Sequence, residues 1–508
     1  MKSVISLVCS LAIFQTVGAG NSIPRYFHPA PNLSSRQIQR ELGRQLSKTT
    51  SILGQNDNRF ENSIVRWDVV AVPRIQVVIE PGQESDIPKI VKYCNRNNVD
   101  FLTYNRGHGF PISLGSFNGI QINMVNLNHI SVKPGGKSAW FGGGAYDGQV
   151  SRYLWDQGYV TTTGSCDCVG MMGPGLGGGH GRHEGLYGMI SDNILQVNLV
   201  LADGSSIRVN KARYNDLLWG LKGAGHNFGI VTSFEMNIYP RGPDTWHFHT
   251  YLWPGSQLTT VFNALNTFHN NGSTPINMTI NFGQFYINSS VSATEPSIGW
   301  TFAYRGPAEE AENLLAPFNA IQAVGDIQGD VPYPDISVAQ GTGEEGFLCQ
   351  SHNTIRTITT AGLQVYNVTA QQQIFDSFKQ HITDNPQLAV AGLVVMEGYS
   401  TAAVEAIPSD SSAYPFRSDH HLVYFSTILA PNAKPSLIKQ SWKWANEVRD
   451  LWNNGQPRRL PNAYVNYANG LEPLEQKYGH EPWRLQRLRH LKAKYDPHNR
   501  FRFYNPIV

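Results

Sequence analysis

Between Gly164 and Gly188, ten of twenty-five residues are glycine, and Cys166 and Cys168 open the run. Glycine permits positive φ and close backbone approach to a ligand, at an entropic cost that a plain surface loop has no reason to bear. Such a run is suited to wrapping something large and flat. A thiol among backbone amides is a candidate nucleophile, and His180 and His183 follow in the same run. Fifty-eight residues before Cys166, His108 stands at the tip of the turn Arg106-Gly107-His108-Gly109. That histidine, on a second loop of the same region, is the partner residue the glycine run calls for.

Other chemistries fit these residues less well. Gly173-x-Gly175-x-x-Gly178 has the form of a dinucleotide fingerprint. That motif must open a helix whose N-terminus takes the pyrophosphate, whereas here His180-Gly181 and more glycine follow. Cys166-x-Cys168 with His180 and His183 has the residue types of a zinc site, yet paired zinc cysteines stand two to four residues apart. No metal is expected. Two small side chains buried beside a turn are the plainest reading of the cysteine pair; a cysteine placed to react, as an accessible thiolate, is the other.

The elements that must position these residues fall into blocks. Residues 1–20 carry Lys2, an apolar run from Val4 to Val17 and then Gly18-Ala19-Gly20, the order of a secretory leader and too short for a comfortable membrane span. Sequons at Asn32, Asn271, Asn277, Asn288 and Asn367 agree with secretion and glycosylation. With a net charge of +2 and 15% charged residues, neither nucleic acid nor an anionic membrane is expected as partner. Apart from Cys9 in the leader, four cysteines remain, too few for a disulfide framework. The crowded pair in the glycine run is therefore expected to be chemical rather than structural.

Residues 21–65 read as a polar surface arm. From 66 to 243 the pattern is α+β: a strand at 72–80, a helix at 85–95 with Ile87, Ile90, Val91 and Cys94 at i, i+3, i+4 and i+7, and a strand at 101–104 leading into the His108 turn. Residues 244–455 carry apolar strands (277–287, 389–396, 422–429) alternating with helices (256–270, 309–318, 370–383, 436–452). An α/β domain whose sheet has helices on one face is the economical reading. Residues 456–508 form an aromatic segment around Tyr464-Val465-Asn466-Tyr467 and a basic helix at 482–495 over a leucine stripe, read as a solvated face rather than a polyanion site.

Four motifs in this order resemble the berberine bridge enzyme family, flavin oxidases of the vanillyl-alcohol-oxidase or PCMH-type fold, in its fungal secreted branch. They are Arg106-Gly107-His108-Gly109, Gly164-Ser165-Cys166-Asp167-Cys168-Val169-Gly170, the tract from Gly185 to Asn193, and the ending Asp496-Pro497…Phe501…Tyr504-Asn505-Pro506. The likeness spans roughly residues 60–508. It implies a two-subdomain FAD-binding domain, a substrate domain, and a C-terminal segment that returns to the first. It also implies FAD bound through two covalent links, His108 and Cys166, with Cys168 as a second thiol two residues on. By the same resemblance Arg106, Gly107, Gly109 and Phe110 lie along the pyrophosphate. Gly164, Ser165, Val169 and Gly170 pass the flavin, Asp192-Asn193 and Gly229-Ile230 approach it, and Tyr464, Asn466 and Tyr467 return to its substrate side.

Hydride removal from carbon needs a base for the accompanying proton. Tyr464 is the first candidate, Tyr467 could lower its pKa, and Glu397 at a strand end is the second; Arg417, His420 and His421 could line the substrate pocket. The implied activity is oxidation of an alcohol- or amine-bearing small molecule, a secondary metabolite, with O2 as acceptor and H2O2 as product. A lactone-forming oligosaccharide oxidase is the nearest alternative, and a flavin-bearing binding protein with little turnover is a different class. The sequence leaves the oligomeric state open.

Overall fold

The computed structural model describes residues 32–508; the leader-like residues 1–20, with Cys9, lie outside the described part. The first sheet orders its four strands Ser51–Gly54, Arg74–Glu80, Asn118–Asn123, Asp100–Tyr104. Arg74–Glu80 and Asp100–Tyr104 both pair parallel to Asn118–Asn123, so the helix Ile87–Arg96 is the crossover of a β-α-β unit. Its predicted apolar stripe is fully buried: Ile87, Ile90, Val91 and Cys94 pack on Val77, Ile79, Ile120 and Ile122. The stretch expected as a surface arm belongs to this layer instead. Ile38 and Leu42 of its helical turn, spaced i and i+4, sink into the same cluster, and Ser51–Gly54 adds an antiparallel edge strand.

A second, five-stranded antiparallel sheet runs Ile130–Val132, Ser138–Gly142, Ile230–Asn237, Ile194–Val200, Ser206–Asn210. The glycine run is the connection between Tyr159–Val160 and Ile194–Val200. The C-terminal helix Pro482–Tyr495 packs on this layer, setting Leu485, Leu488 and Leu491 among Leu217, Leu221 and Phe228. Its end is held by a buried ion pair. Lys492 Nζ donates to Asp496 Oδ2 at 2.7 Å and to the carbonyls of Asn227 and Phe501; Asp496 also accepts from the amides of Arg500 and Phe501.

The remaining domain is one seven-stranded antiparallel sheet, ordered Gly325–Val331, Trp246–Trp253, Ser297–Tyr304, Met278–Tyr286, Gly392–Tyr399, His421–Leu429, Ile355–Leu363. Helices Leu258–His269, Ala308–Asn319, Val368–Asp384 and Pro435–Asn454 pack one apolar cluster with it. Four of these strands carry no mark in the sequence reading. A fifth is displaced: 386–391 is helical, opened by Pro386 at a first-turn position where its missing N–H costs nothing, and the strand runs Gly392–Tyr399. Among the described residues no helix is long and apolar enough to cross a membrane.

Asp496→Ala leaves a buried ammonium without its carboxylate, for which the expected loss is about 3–5 kcal/mol in chemical unfolding. An unchanged unfolding midpoint would mean that the leucines alone hold the C-terminal helix.

Candidate active site

The three parts of the chain enclose a cavity of about 1150 Å³, above the roughly 300–1,000 Å³ of a single drug-sized ligand's site. Of the residues expected at the site, all line it except Asp192, Asn193, Arg417, His420 and His421. The His108 turn enters from the end of Asp100–Tyr104, the cysteine loop from the glycine run, and Glu397 from the sheet of the other domain.

Gly107 has φ +75°, and a Cβ there would stand 2.6 Å from the Val65 carbonyl oxygen, so the tight turn that presents His108 needs glycine. The imidazole stacks on Trp67 at 5.7 Å between ring centroids. Burial, with the nearby His352, Arg106 and Arg356, lowers its pKa to about 3. The ring is thus neutral across ordinary pH. Arg106 lies over Tyr146 and donates to the Cys168 carbonyl, tying the histidine turn to the cysteine loop.

The two cysteines divide. Cys168 forms a disulfide with Cys349, 181 residues away, while Cys166 is free and half-buried at the cavity wall. Expecting both members of the pair to be chemical was therefore wrong for Cys168, which is structural. Nor is Cys166 a ready thiolate: burial, reinforced by the charge of Glu397, pushes its thiol up to about 12. Its loop faces the cavity. Of the histidines of the run, His180 lines the cavity and His183 does not. His180 bonds Glu184 through Nδ1 at 2.9 Å and Tyr414 through Nε2 at 2.7 Å, and His183 is wedged edge-on against Tyr333 with both nitrogens unpartnered.

Buried Asp147 Oδ2, Ser165 Oγ and Asn466 Oδ1 lack hydrogen-bond partners, and all three residues line the cavity. Orphaned buried polar atoms are rare in folded proteins; three around one space fit a polar group bound there. Burial pushes Asp147 up to about 8 although the Gly164 amide donates to it. At Gly173, which also borders the space, a Cβ would meet nothing within 4 Å.

On the opposite wall, strand alternation sends Val394 and Met396 toward the helices and Val395, Glu397 and Tyr399 toward the cavity. The Glu397 carboxylate accepts from Tyr399 at 2.7 Å and from Tyr467 at 2.9 Å and 3.1 Å. Burial raises its pKa while those two bonds oppose the rise. Tyr399, missed in the sequence, was marked there only by its place two residues from Glu397 on the same face. Tyr464 is differently employed: its oxygen accepts from the Gly179 amide at 3.0 Å, the His180 amide at 3.4 Å and Asn466 Nδ2 at 2.6 Å.

The expectation that Asp192 and Asn193 reach the ligand is corrected. Asp192 is paired with both terminal nitrogens of Arg417 and caps the Met189 amide. Asn193 donates to the Tyr187 and Met189 carbonyls and accepts from Tyr239. Both brace the end of the glycine run. Arg417 is spent on Asp192, His420 bonds the Gln364 carbonyl, and His421 stacks on Tyr366; none of these three lines the cavity.

The family described as FAD binding domain matches residues 75–210, and that described as berberine and berberine like matches 463–508. FAD-linked oxidoreductase OXR2 of Pyricularia oryzae is 49% identical over 511 residues, covering 99% of this chain and 98% of its own. FAD-linked oxidoreductase anuG of Penicillium roqueforti is 49% identical over 477 residues, covering 94% and 93%. Among solved structures, chitooligosaccharide oxidase superposes with a TM-score of 0.76 at 19% identity, covering 93% of this chain and 99% of its own. Physcomitrella patens BBE-like 1 does so with 0.75 at 20% identity, covering 94% and 100%. At that identity the structures share the fold, which is the expected FAD-binding domain with its substrate domain.

Peptide mapping without reductant is expected to join the Cys168 and Cys349 peptides and to leave the Cys166 peptide outside the bridge. Cys349→Ser should lower stability by roughly 2–5 kcal/mol; a Cys166–Cys349 link instead would overturn the division of the two thiols.

Proposed function

The chain belongs to the FAD-linked oxidoreductases of the berberine-like family, and from that premise we propose that it oxidises an alcohol- or amine-bearing small molecule at a C–H bond. The carrying observation is the Glu397 carboxylate, buried in the cavity wall with two phenols bonded to it. FAD is held, in this reading, by His108 and Cys166 as two covalent attachment points, with the loops around Arg106–Phe110 and Gly164–Gly170 along it. When bound there, FAD would supply the hydride acceptor, with O2 as the final oxidant and H2O2 as its product.

The chain's own part is the proton. A substrate O–H or N–H placed at Tyr467 gives its proton to the phenol oxygen as the phenol's own proton moves to Glu397, so Glu397 is the net acceptor. Tyr399 holds the carboxylate in place from the other side. Tyr464, its oxygen already occupied by three donors, fixes the glycine turn under the site rather than taking the proton. Arg182, which donates to the Ser165 carbonyl and to Thr342, keeps the cysteine loop in register with the other domain.

A small metabolite is favoured over a sugar chain. Phe347 is the one aromatic among the exposed large hydrophobic side chains of residues 244–455 in the described chain, which leaves few outer platforms for stacked sugars. Residues 1–20 are read as a secretory leader, and exposed Asn32, Asn271 and Asn367 suit glycosylation.

Acid-denatured protein is expected to keep its yellow colour in the pellet, and to release it to solution only when His108 and Cys166 are both replaced. Free FAD from the unaltered protein would remove the covalent links. Glu397→Gln should slow flavin reduction by about 10²–10⁴-fold, and Tyr464→Phe by less, with flavin content unchanged in both. The base works only when ionised. Because burial raises the Glu397 pKa, the rate should fall as pH drops through a value above the ordinary carboxylate range, and Glu397→Gln should abolish that limb. A Glu397→Gln enzyme with the original rate and pH profile would return the base to Tyr464.

A further inference from the structure

We propose that His247, His249 and Glu312 form a binding site for a divalent metal ion of the zinc class at the outer edge of the seven-stranded sheet. The two histidines sit two apart on Trp246–Trp253, so strand alternation points both toward the helical face. There Glu312, from the helix Ala308–Asn319, reaches down between them. One oxygen, Glu312 Oε1, lies 2.8 Å from His247 Nε2 and 2.8 Å from His249 Nδ1. The three donor atoms all stand within 4.8 Å of one another.

What distinguishes this cluster from an ordinary carboxylate bonded by histidines is the second nitrogen of each ring. His247 Nδ1 is 2.7 Å from Asp330 Oδ1, so both nitrogens of one imidazole face carboxylates. His249 Nε2 is buried without a hydrogen-bond partner and has Asp326 Oδ2 at 3.8 Å. Asp330 and Asp326 come from the neighbouring strand Gly325–Val331, paired antiparallel with Trp246–Trp253. Three carboxylates thus surround two imidazoles.

A metal ion resolves that arrangement. His247 Nε2, His249 Nδ1 and Glu312 each give it a lone pair, and the freed ring N–H of His247 is donated to Asp330. That of His249 points at Asp326. Carboxylate–histidine–metal chains of this kind fix the tautomer and orientation of metal-bound imidazoles. Two nitrogens and a carboxylate oxygen suit a borderline ion such as Zn²⁺, with water completing the shell. Both histidines are 2% exposed at the side chain, whereas Asp326 and Asp330 are about half exposed, which gives the ion a way in from solvent. Asn319 Nδ2 donates to the other Glu312 oxygen at 2.8 Å and holds the carboxylate in place. The ion would clasp the edge strand Gly325–Val331 and the helix to the sheet, and Asp326 and Ile327 of that strand also border the flavin cavity.

The test uses the full-length, flavin-loaded protein, stripped with a chelator and then dialysed against Zn²⁺ alone. One zinc per chain by elemental analysis is expected, with a rise in Tm that the chelator reverses. Co²⁺ in its place should give visible bands beyond those of the flavin. Glu312→Gln and His249→Gln should abolish uptake while leaving flavin content unchanged. Asp330→Asn, a change at a half-exposed side chain that does not touch the ion, should weaken zinc binding about 10–100-fold. Absence of stoichiometric uptake by the unaltered protein would overturn the site, as would uptake that survives Glu312→Gln, His249→Gln and Asp330→Asn alike.

Discussion

The register of one strand governs this molecule. Gly392–Tyr399 lies between Met278–Tyr286 and His421–Leu429, with Glu397 opposite Phe282 on one side and Leu422 on the other. That pairing sends Met396 into the helical core and Glu397 into the cavity. A slip of one residue would exchange the two, burying a carboxylate among phenylalanines and presenting a thioether to the substrate. The apolar positions of the strand therefore do more than stabilise the sheet. By demanding the helical face, Val394 and Met396 dictate where the carboxylate must point.

The flavin-side loops are held to the same sheet by contacts of a different kind. Arg356, in the edge strand Ile355–Leu363, takes the Asp68 carboxylate on its backbone amide and lays its guanidinium 3.6 Å from the centre of the Trp67 ring. Trp67 in turn stacks on His108. A cation over an indole, shielded from water, is a strong and directional contact, so the imidazole inherits its orientation from the substrate domain. The Cys168–Cys349 bridge does the same for the cysteine loop, through a segment that also supplies Thr342 and Gln340 to Arg182. His108, Cys166 and the Glu397 carboxylate are thus referred to one frame, although they arise 58 and 231 residues apart along the chain.

How much of this could be read from the residues alone depended on how local each signal was. His108 and Cys166 stood in motifs a few residues long, and both face the cavity. The helix at 87–96 announced itself by its apolar period. Ile355–Leu363 did not, since IRTITTAGL holds an arginine and three threonines yet is buried along its whole length. Its threonines are satisfied laterally, Thr357 by Thr427, Thr359 by the Ala445 carbonyl and Thr360 by that of Val423. Trp246–Trp253 hid for a related reason: both of its faces carry aromatics, so no alternation of polarity betrays a strand. The partner of Cys168 and the spending of Asp192 on Arg417 were invisible because each depends on a residue about two hundred positions away.

Two carboxylates in the substrate domain, Glu397 buried and Glu312 half-buried, make an instructive contrast. Glu397 and Glu312 each sit between two donors, and the donors decide what each can do. Around Glu397 they are phenols, whose pKa values burial drives well above the usual value. A phenol that resists becoming a phenolate can pass a proton on only as it takes one up, so the carboxylate is left as the net acceptor. Around Glu312 they are imidazoles, and an imidazole has a second nitrogen. At His247 that nitrogen already meets a carboxylate, and at His249 it is left buried with a carboxylate just beyond hydrogen-bond reach. A divalent ion held by one nitrogen of each ring leaves the other ring N–H to face a carboxylate. The same carboxylate chemistry, given hydroxyl neighbours, suits a base, and given histidine neighbours with carboxylates behind them, suits a metal ligand.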